Sequence, residues 1–209
     1  MRNETSALGA KKYILLILPF FLVACTTVAP VPQVSKSIES AVFGAPSSKV
    51  QLIIFSDYEC PACINFEKTL GEELYNRYVA TNKITVTYKN FPLPFHQNAE
   101  RDALSGLCGL SQGKYHEISK ELYTLEDQKK GDIVTDTERI EAAKRAGLDT
   151  VNFSQCLSEG WYMDQIAREK KEGEAMGLEG TPSVYLNGTI MKFNSKEEFF
   201  GIIDAALKM

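Results

Sequence analysis

Val50-Gln51-Leu52-Ile53-Ile54-Phe55-Ser56-Asp57-Tyr58-Glu59-Cys60-Pro61-Ala62-Cys63 decides how this chain is read. Val50 to Ser56 is nearly continuously apolar, as expected of a strand covered on both faces of a sheet. Pro61 suits the first position of a helix, where its missing N–H would have no partner anyway. From Pro61 to about Ala80, the residues Cys63, Phe66, Leu70, Leu74 and Tyr78 recur at spacings of three and four, which predicts an amphipathic helix. Two cysteines three apart therefore stand where a strand hands over to a helix. Unpaired N–H groups and a partial positive charge at the helix head both stabilise a thiolate at Cys60. Cys63 lies almost one turn on, on the same side, within reach of the Cys60 sulfur. The pattern is that of a thiol–disulfide exchange pair.

Working outward, Ile84-Thr85-Val86-Thr87-Tyr88 is β-branched and alternating, a second strand. With the helix it completes a β-α-β unit. The middle of the chain reads as helical: Asn98 to Leu110, Tyr115 to Glu126, Thr137 to Ala146, Val151 to Ser158 and Trp161 to Met176, with Asp136 or Thr137 capping the third. Strand signals return at Ser183 to Leu186. Asn187-Gly188 gives a tight hairpin turn into Thr189 to Phe193. Ser195 with Glu198 caps a last helix to Leu207. The class is α/β: strand, helix, strand, helical block, hairpin, helix.

The other end is different in kind. Arg2, Lys11 and Lys12 precede Tyr13 to Ala24, a 12-residue apolar stretch. That is short for a spanning helix, which needs about 20 residues, but right for a secretory signal. Leu22-Val23-Ala24-Cys25 resembles a bacterial lipoprotein cleavage box, which makes residues 1–24 a signal peptide and Cys25 the lipidated N-terminus. An ordinary signal peptide with a chance cysteine is the alternative. Removing 24 of 209 residues leaves 185, enough for one domain with an insertion. The mature chain carries 20 Lys+Arg against 26 Asp+Glu, and no basic block, so nucleic acid is not an expected partner. Residues 25–48 are rich in Pro, Ser and Ala and read as a membrane-proximal linker, with a short helix at Ser37 to Phe43 as an option. The folded domain is expected over 49–209.

Five cysteines is an odd number for an exported chain. Cys25 takes lipid, Cys60 and Cys63 form the redox pair, and Cys108 with Cys156 remain for a structural bridge, which an oxidising compartment would preserve. Closing a loop of that length stabilises by roughly 3–4 kcal/mol. Two free buried thiols are the other reading.

Phe55 to Cys63, Lys89-Asn90-Phe91-Pro92-Leu93, His96-Gln97-Asn98-Ala99, Cys108 near Gln112-Gly113-Lys114, and Gly180-Thr181-Pro182-Ser183 together resemble the DsbA-like thiol:disulfide oxidoreductases. The resemblance runs from about residue 50 to the C-terminus. It implies a thioredoxin fold with an inserted helical domain at about 97–178, an exported location, Cys60 as nucleophile and Cys63 as resolving cysteine. It also implies a cis peptide at Thr181-Pro182 facing the pair, and His96 on the rim of the site. Without the family, a trans proline that merely starts a strand is the simpler reading. Pro61, Ala62, Thr181 and Pro182 are thus expected to shape the site.

Two positions depart from the family. Ile54 stands where many relatives carry a buried acid, which leaves the route of the Cys63 proton open, with Lys89 or a water as candidates. Ala62 stands where His or Tyr is commoner, so Cys60 is expected to be less acidic than in His-containing relatives. The expected activity is disulfide formation in exported proteins through Cys60–Cys63, together with a membrane redox partner and no cofactor. The alternatives are reductive or isomerase-like repair, and a non-catalytic thioredoxin-like lipoprotein that only binds. The linker is too short for a dimerisation domain, so a monomer is expected. Zinc at Cys60 and Cys63 would need a histidine, and neither His96 nor His116 has ligand spacing to the pair, so no metal is expected. His116 reads as a helix-surface residue, and Trp161 and Tyr162 as core of the insertion. Phe91 to Phe95 reads either as an apolar docking surface or as a packed loop.

Overall fold

The computed structural model describes Met1, Lys36 and residues 38–209. Apart from Met1, the expected signal peptide over 1–24 lies outside the described residues, as do Cys25 and most of the expected linker. A five-stranded sheet has the order β1-β3-β2-β4-β5, built from Ala41–Gly44 (β1), Gln51–Ser56 (β2), Thr85–Asn90 (β3), Ser183–Leu186 (β4) and Thr189–Ile190 (β5). β2 runs parallel to β3 and antiparallel to β4, which makes it the covered central strand that its apolar run demands. Leu52, Ile54 and Phe55 are essentially inaccessible.

The end of the expected linker is corrected. Ala41–Gly44 is neither tether nor helix but an edge strand, paired antiparallel with β3 from Ala41 opposite Tyr88 to Gly44 opposite Thr85. Its Val-Phe centre favours extended backbone, and Phe43 stacks on Tyr115 while meeting Tyr88 edge-on. In β5 the ladder is shorter than expected and stops at Ile190. Asn187 and Gly188 both have positive φ, as the two-residue hairpin requires.

The first helix, Pro61–Phe66 (α1), does not stay α-helical. It passes through a π turn at Glu67–Gly71, a short α segment at Glu72–Leu74 (α2) and a second π turn at Tyr75–Val79. Phe66, Leu70, Leu74 and Tyr78 still face the sheet and join the apolar core with Phe199 and Ile203 of the last helix, Lys196–Ala206 (α8).

Between β3 and β4 lie Ala99–Leu110 (α3), Tyr115–Lys129 (α4), Asp136–Arg145 (α5), Thr150–Glu159 (α6) and Met163–Ala175 (α7). Thr135, rather than Asp136 or Thr137, caps α5 in a full capping box with Glu138. This block has its own core, which includes Leu104, Leu107, Ile118, Leu122, Phe153, Trp161 and Tyr162. Cys108 on α3 and Cys156 on α6 are disulfide-bonded within it, with Cα atoms 5.9 Å apart, and both are fully buried.

A buried carboxylate ties the block to the sheet. Glu169 on α7 accepts from the backbone N–H and side-chain amide of Asn90, each at 2.8 Å, from Ser40 at 2.9 Å and from Gln165 at 2.7 Å. Four donors on one carboxylate satisfy a charge that would be costly to bury alone.

Candidate active site

The turn between β2 and α1 is organised by Asp57. Its Oδ1 accepts from the Glu59 N–H at 2.9 Å, a local side-chain turn. Its Oδ2 accepts from the Leu93 N–H at 2.8 Å and lies 2.8 Å from His96 Nδ1. Glu59 in turn accepts from the Asn98 N–H at 2.6 Å. These contacts lock the turn to the β3–α3 loop and leave Cys60 as the N-cap of α1 with Pro61 in the first turn.

Cys60 and Cys63 are free thiols in this structure. The Cys60 Sγ lies 3.3 Å from the Thr181 carbonyl oxygen, so the loop before β4 meets the helix head. The Thr181–Pro182 peptide is cis. A hydrogen bond from the Cys63 thiol brings the Cys60 pKa down to about 5. Burial opposes the shift; the Thr181 side chain and the Cys63 and Ala62 backbone N–H groups add to it. Ala62 itself is exposed and gives only that N–H. Cys63 is the opposite case: burial first, and then the neighbouring Cys60, push its pKa far up, while Ser56 and Thr181 hydrogen bonds offset part of the rise. The pair is thus strongly asymmetric, with a thiolate at the helix head and a neutral thiol behind it.

Two clefts flank the pair. One, of about 290 Å³, is bordered by Glu59, Pro61, Ile64, His96, Glu126 and Lys130. The other, of about 390 Å³, runs past Ala62, Phe66, Leu70, Pro182 and Phe193 and is mostly apolar. Behind the first lies a buried polar group in the insertion. Arg139 Nε donates to Asp102 Oδ1 at 2.7 Å. Burial pushes Glu126 up to about 9 and Asp102 up to about 6, and the two carboxyls hydrogen-bond to each other. Asp102 Oδ2 and Glu126 Oε1 have no other partner, so one proton is shared between them.

Other residues singled out by the sequence fall where their chemistry allows. His96 borders the first cleft beside Pro61. The Lys89 ammonium pairs with Glu172 at 2.5 Å and lies over the Phe55 ring. His116 is not a plain surface residue: it is half-buried and stacked on Tyr75 with ring centroids 3.9 Å apart, and burial lowers its pKa. The Phe91 to Phe95 loop divides, Phe91 being packed against Phe55 and Gly173 while Phe95 is 73 % exposed. Among the described residues, no group of three or more His, Cys, Asp or Glu is placed to hold a metal ion. Reading the sequence missed Asp57, Ser56 and Tyr123. Asp57 alone had a local signal, an Asp two residues ahead of a turn N–H.

The family model described as Thioredoxin matches residues 36–205. The chain is 22 % identical over 151 residues to the probable disulfide bond formation protein D of Bacillus cereus, covering 70 % of this chain and 69 % of that one. It superposes on oxidised BdbD from Bacillus subtilis with a TM-score of 0.72 at 18 % identity, covering 81 % of this chain and 94 % of that one. It also superposes on Chlamydia trachomatis DsbA with a TM-score of 0.69 at 16 % identity, covering 82 % and 93 %. A strand-to-helix dithiol, a sheet of this order and a helical block set between β3 and β4 agree with those likenesses in fold, and the chain belongs to the thioredoxin family.

Proposed function

We propose that this protein catalyses disulfide formation in exported proteins, held at a bacterial membrane by lipid on Cys25. The protein is a thiol:disulfide oxidoreductase, and the finer reading concerns the direction of exchange and the place. Cys60 is the nucleophile and Cys63 the resolving cysteine. In the oxidising direction a substrate thiolate attacks Cys60 of the Cys60–Cys63 disulfide, the S–S bond breaks, and Cys63 leaves. A second substrate thiol then attacks the mixed disulfide, and Cys60 leaves as a thiolate. A membrane redox partner returns the dithiol to the disulfide. Pro61, Ala62, Thr181 and Pro182 shape the surface where an extended substrate chain lies, with the apolar cleft beside Ala62 and Pro182 as its bed.

The lowered pKa of Cys60 supports this direction most strongly. A stable thiolate is a good leaving group, so the reduced enzyme is favoured and the disulfide is a better oxidant. Equilibration with glutathione tests it. The oxidase reading expects a potential less negative than about −180 mV, whereas a value near the roughly −270 mV of thioredoxin would assign a reductant. Trapping with Cys63→Ser in cells tests the substrate class. Mixed disulfides with many exported proteins are expected, and a single dedicated partner would contradict the reading.

A further inference from the structure

Cys63 must lose a proton each time it attacks a mixed disulfide at Cys60, and regain one each time it leaves. It is 1 % exposed, and position 54 on the adjoining strand is isoleucine, which cannot take that proton. The structure offers another route. Ser56, at the end of β2, lies close enough to the Cys63 sulfur to offset part of the rise in its pKa. Its oxygen is 2.7 Å from Tyr123 Oη, a contact in which either group can donate. Tyr123 borders a cavity of about 20 Å³ that Glu67 also borders, room for a single water. Glu67 and Tyr123 also border a separate open cleft of about 130 Å³, with Lys68, Glu72 and Lys120. Glu67 therefore touches both a buried chamber and the surface.

The helix is built to hold the Glu67 carboxyl there. Glu67 opens the π turn Glu67–Gly71, a widened turn that recurs at functional sites. Gly71 is buried, and a methyl group at that position would overlap the Glu67 carboxylate. The carboxyl thus lies forward along the helix, in the space that Gly71 leaves open.

We propose that Ser56, Tyr123 and Glu67 form a proton path for Cys63, with Glu67 as its terminal acid. The proposal rests on dithiol exchange at Cys60–Cys63. When Cys63 attacks the Cys60 sulfur of a mixed disulfide, the Cys60–Cys63 bond forms, the bond to the partner sulfur breaks, and the partner leaves as a thiolate. The Cys63 proton passes to Ser56 as Ser56 gives its own to Tyr123. Tyr123 gives its proton, through one water, to the Glu67 carboxylate. Each hydroxyl keeps one proton, and Glu67 exchanges with solvent through the outer cleft. When a thiolate attacks Cys60 and Cys63 leaves, the path runs backward.

The surrounding charges suit this role. Glu67 faces Lys120, His116, Tyr115 and Tyr123 from α4 and Tyr88 from β3, with Lys68, Glu72 and Tyr75 from its own helix. Burial raises its pKa to about 7, with Lys120 opposing and Glu72 adding. Burial lowers His116 and raises Tyr88, Tyr115 and Tyr123, which disfavours charge on each of these neighbours. An acceptor near neutrality is the efficient one at neutral pH.

Reaction of the reduced protein with oxidised glutathione, followed by acid quench and mass spectrometry, separates attack by Cys60 from closure by Cys63. In Glu67→Gln and Tyr123→Phe the first step is expected to keep its rate, while closure slows about tenfold or more and loses its inflection near pH 7. Glu67→Asp should recover part of the closure rate, and Gly71→Ala, which keeps the acid but displaces it, should slow closure. A purely structural role would not move the pH profile. Wild-type closure rates and profile in Glu67→Gln and Tyr123→Phe would overturn the path. An unreactive wild-type Cys60 would show in the first step instead, and would defeat the exchange reading on which the path rests.

Discussion

The molecule holds two cysteine pairs, and they differ in everything but their element. Cys108 and Cys156 are 48 residues apart in sequence, fully buried, joined across two helices and walled by the core of the insertion. Cys60 and Cys63 are three apart at a helix head, with backbone N–H groups, a hydroxyl and a neighbouring loop directed at the outer sulfur. A buried sulfur with no donor around it is inert ballast; a sulfur at a helix terminus is a leaving group. On the proposed function, the same kind of bond constrains the chain in one region and is exchanged with substrate in the other.

The largest effects should come from exchanging these roles. Cys60→Ser is expected to abolish insulin reduction and glutathione exchange, while Cys63→Ser accumulates mixed disulfides visible by non-reducing electrophoresis. The double variant Cys108→Ala/Cys156→Ala should keep exchange activity once folded. Retained exchange in Cys60→Ser, or its loss in the double variant with native circular dichroism, would break the contrast.

In stability the order reverses. Removing the Cys108–Cys156 bridge is expected to cost roughly 3–4 kcal/mol of unfolding free energy in denaturant titrations. Opening the Cys60–Cys63 bond should have the opposite sign near neutrality. The folded pKa of Cys60, about 5, lies below the ordinary thiol value of about 8.5, so the reduced protein gains stability as pH rises between those values. That gain is lost as pH falls through about 5. Unfolding curves of reduced and oxidised protein at several pH values would expose a wrong sign.

The potential offers a finer measure. Above about pH 5, reduction takes up two electrons and one proton, because Cys60 stays a thiolate. The potential should then fall by about 30 mV per pH unit, steepening to about 59 mV per unit below that point. Ala62→His, which adds a cation beside the thiolate, should raise the potential by about 30 mV, a tenfold change in the exchange constant. A slope near 59 mV throughout neutral pH would mean an ordinary thiol at Cys60.

The smallest expected effect lies in the insertion. Glu126 holds its proton up to about 9 in the folded state, above its unfolded value, so its contribution to stability is lost as pH rises toward that point. Glu126→Gln should flatten the decline of Tm between mildly acidic and alkaline pH. An unchanged decline would assign it to another group.

The fold was legible because its signals are local. Val50 to Ser56, the helical spacing after Pro61 and the Asn187-Gly188 turn each state their element within a few residues. The dithiol was legible for the same reason. β1 was not, because four residues after a Pro- and Ser-rich stretch carry too little pattern; only Tyr88 and Tyr115, far along the chain, make Phe43 part of a core. Ser56 and Tyr123 are separated by 67 residues and meet only when α4 packs beside α1, so neither residue points to the other in sequence. Gly71 showed no purpose until the Glu67 carboxylate was seen lying across it.

The contact between the Cys60 sulfur and the Thr181 carbonyl spans 121 residues. A ribosome delivers the thiols long before it delivers that loop, and the whole insertion, α3 to α7, must be synthesised between them. The nascent enzyme therefore carries an unfinished reagent, whose sulfur reaches its final acidity only after the last hairpin has docked. The site is thus assembled from the two ends of the folded domain, and its last member arrives with the final hairpin.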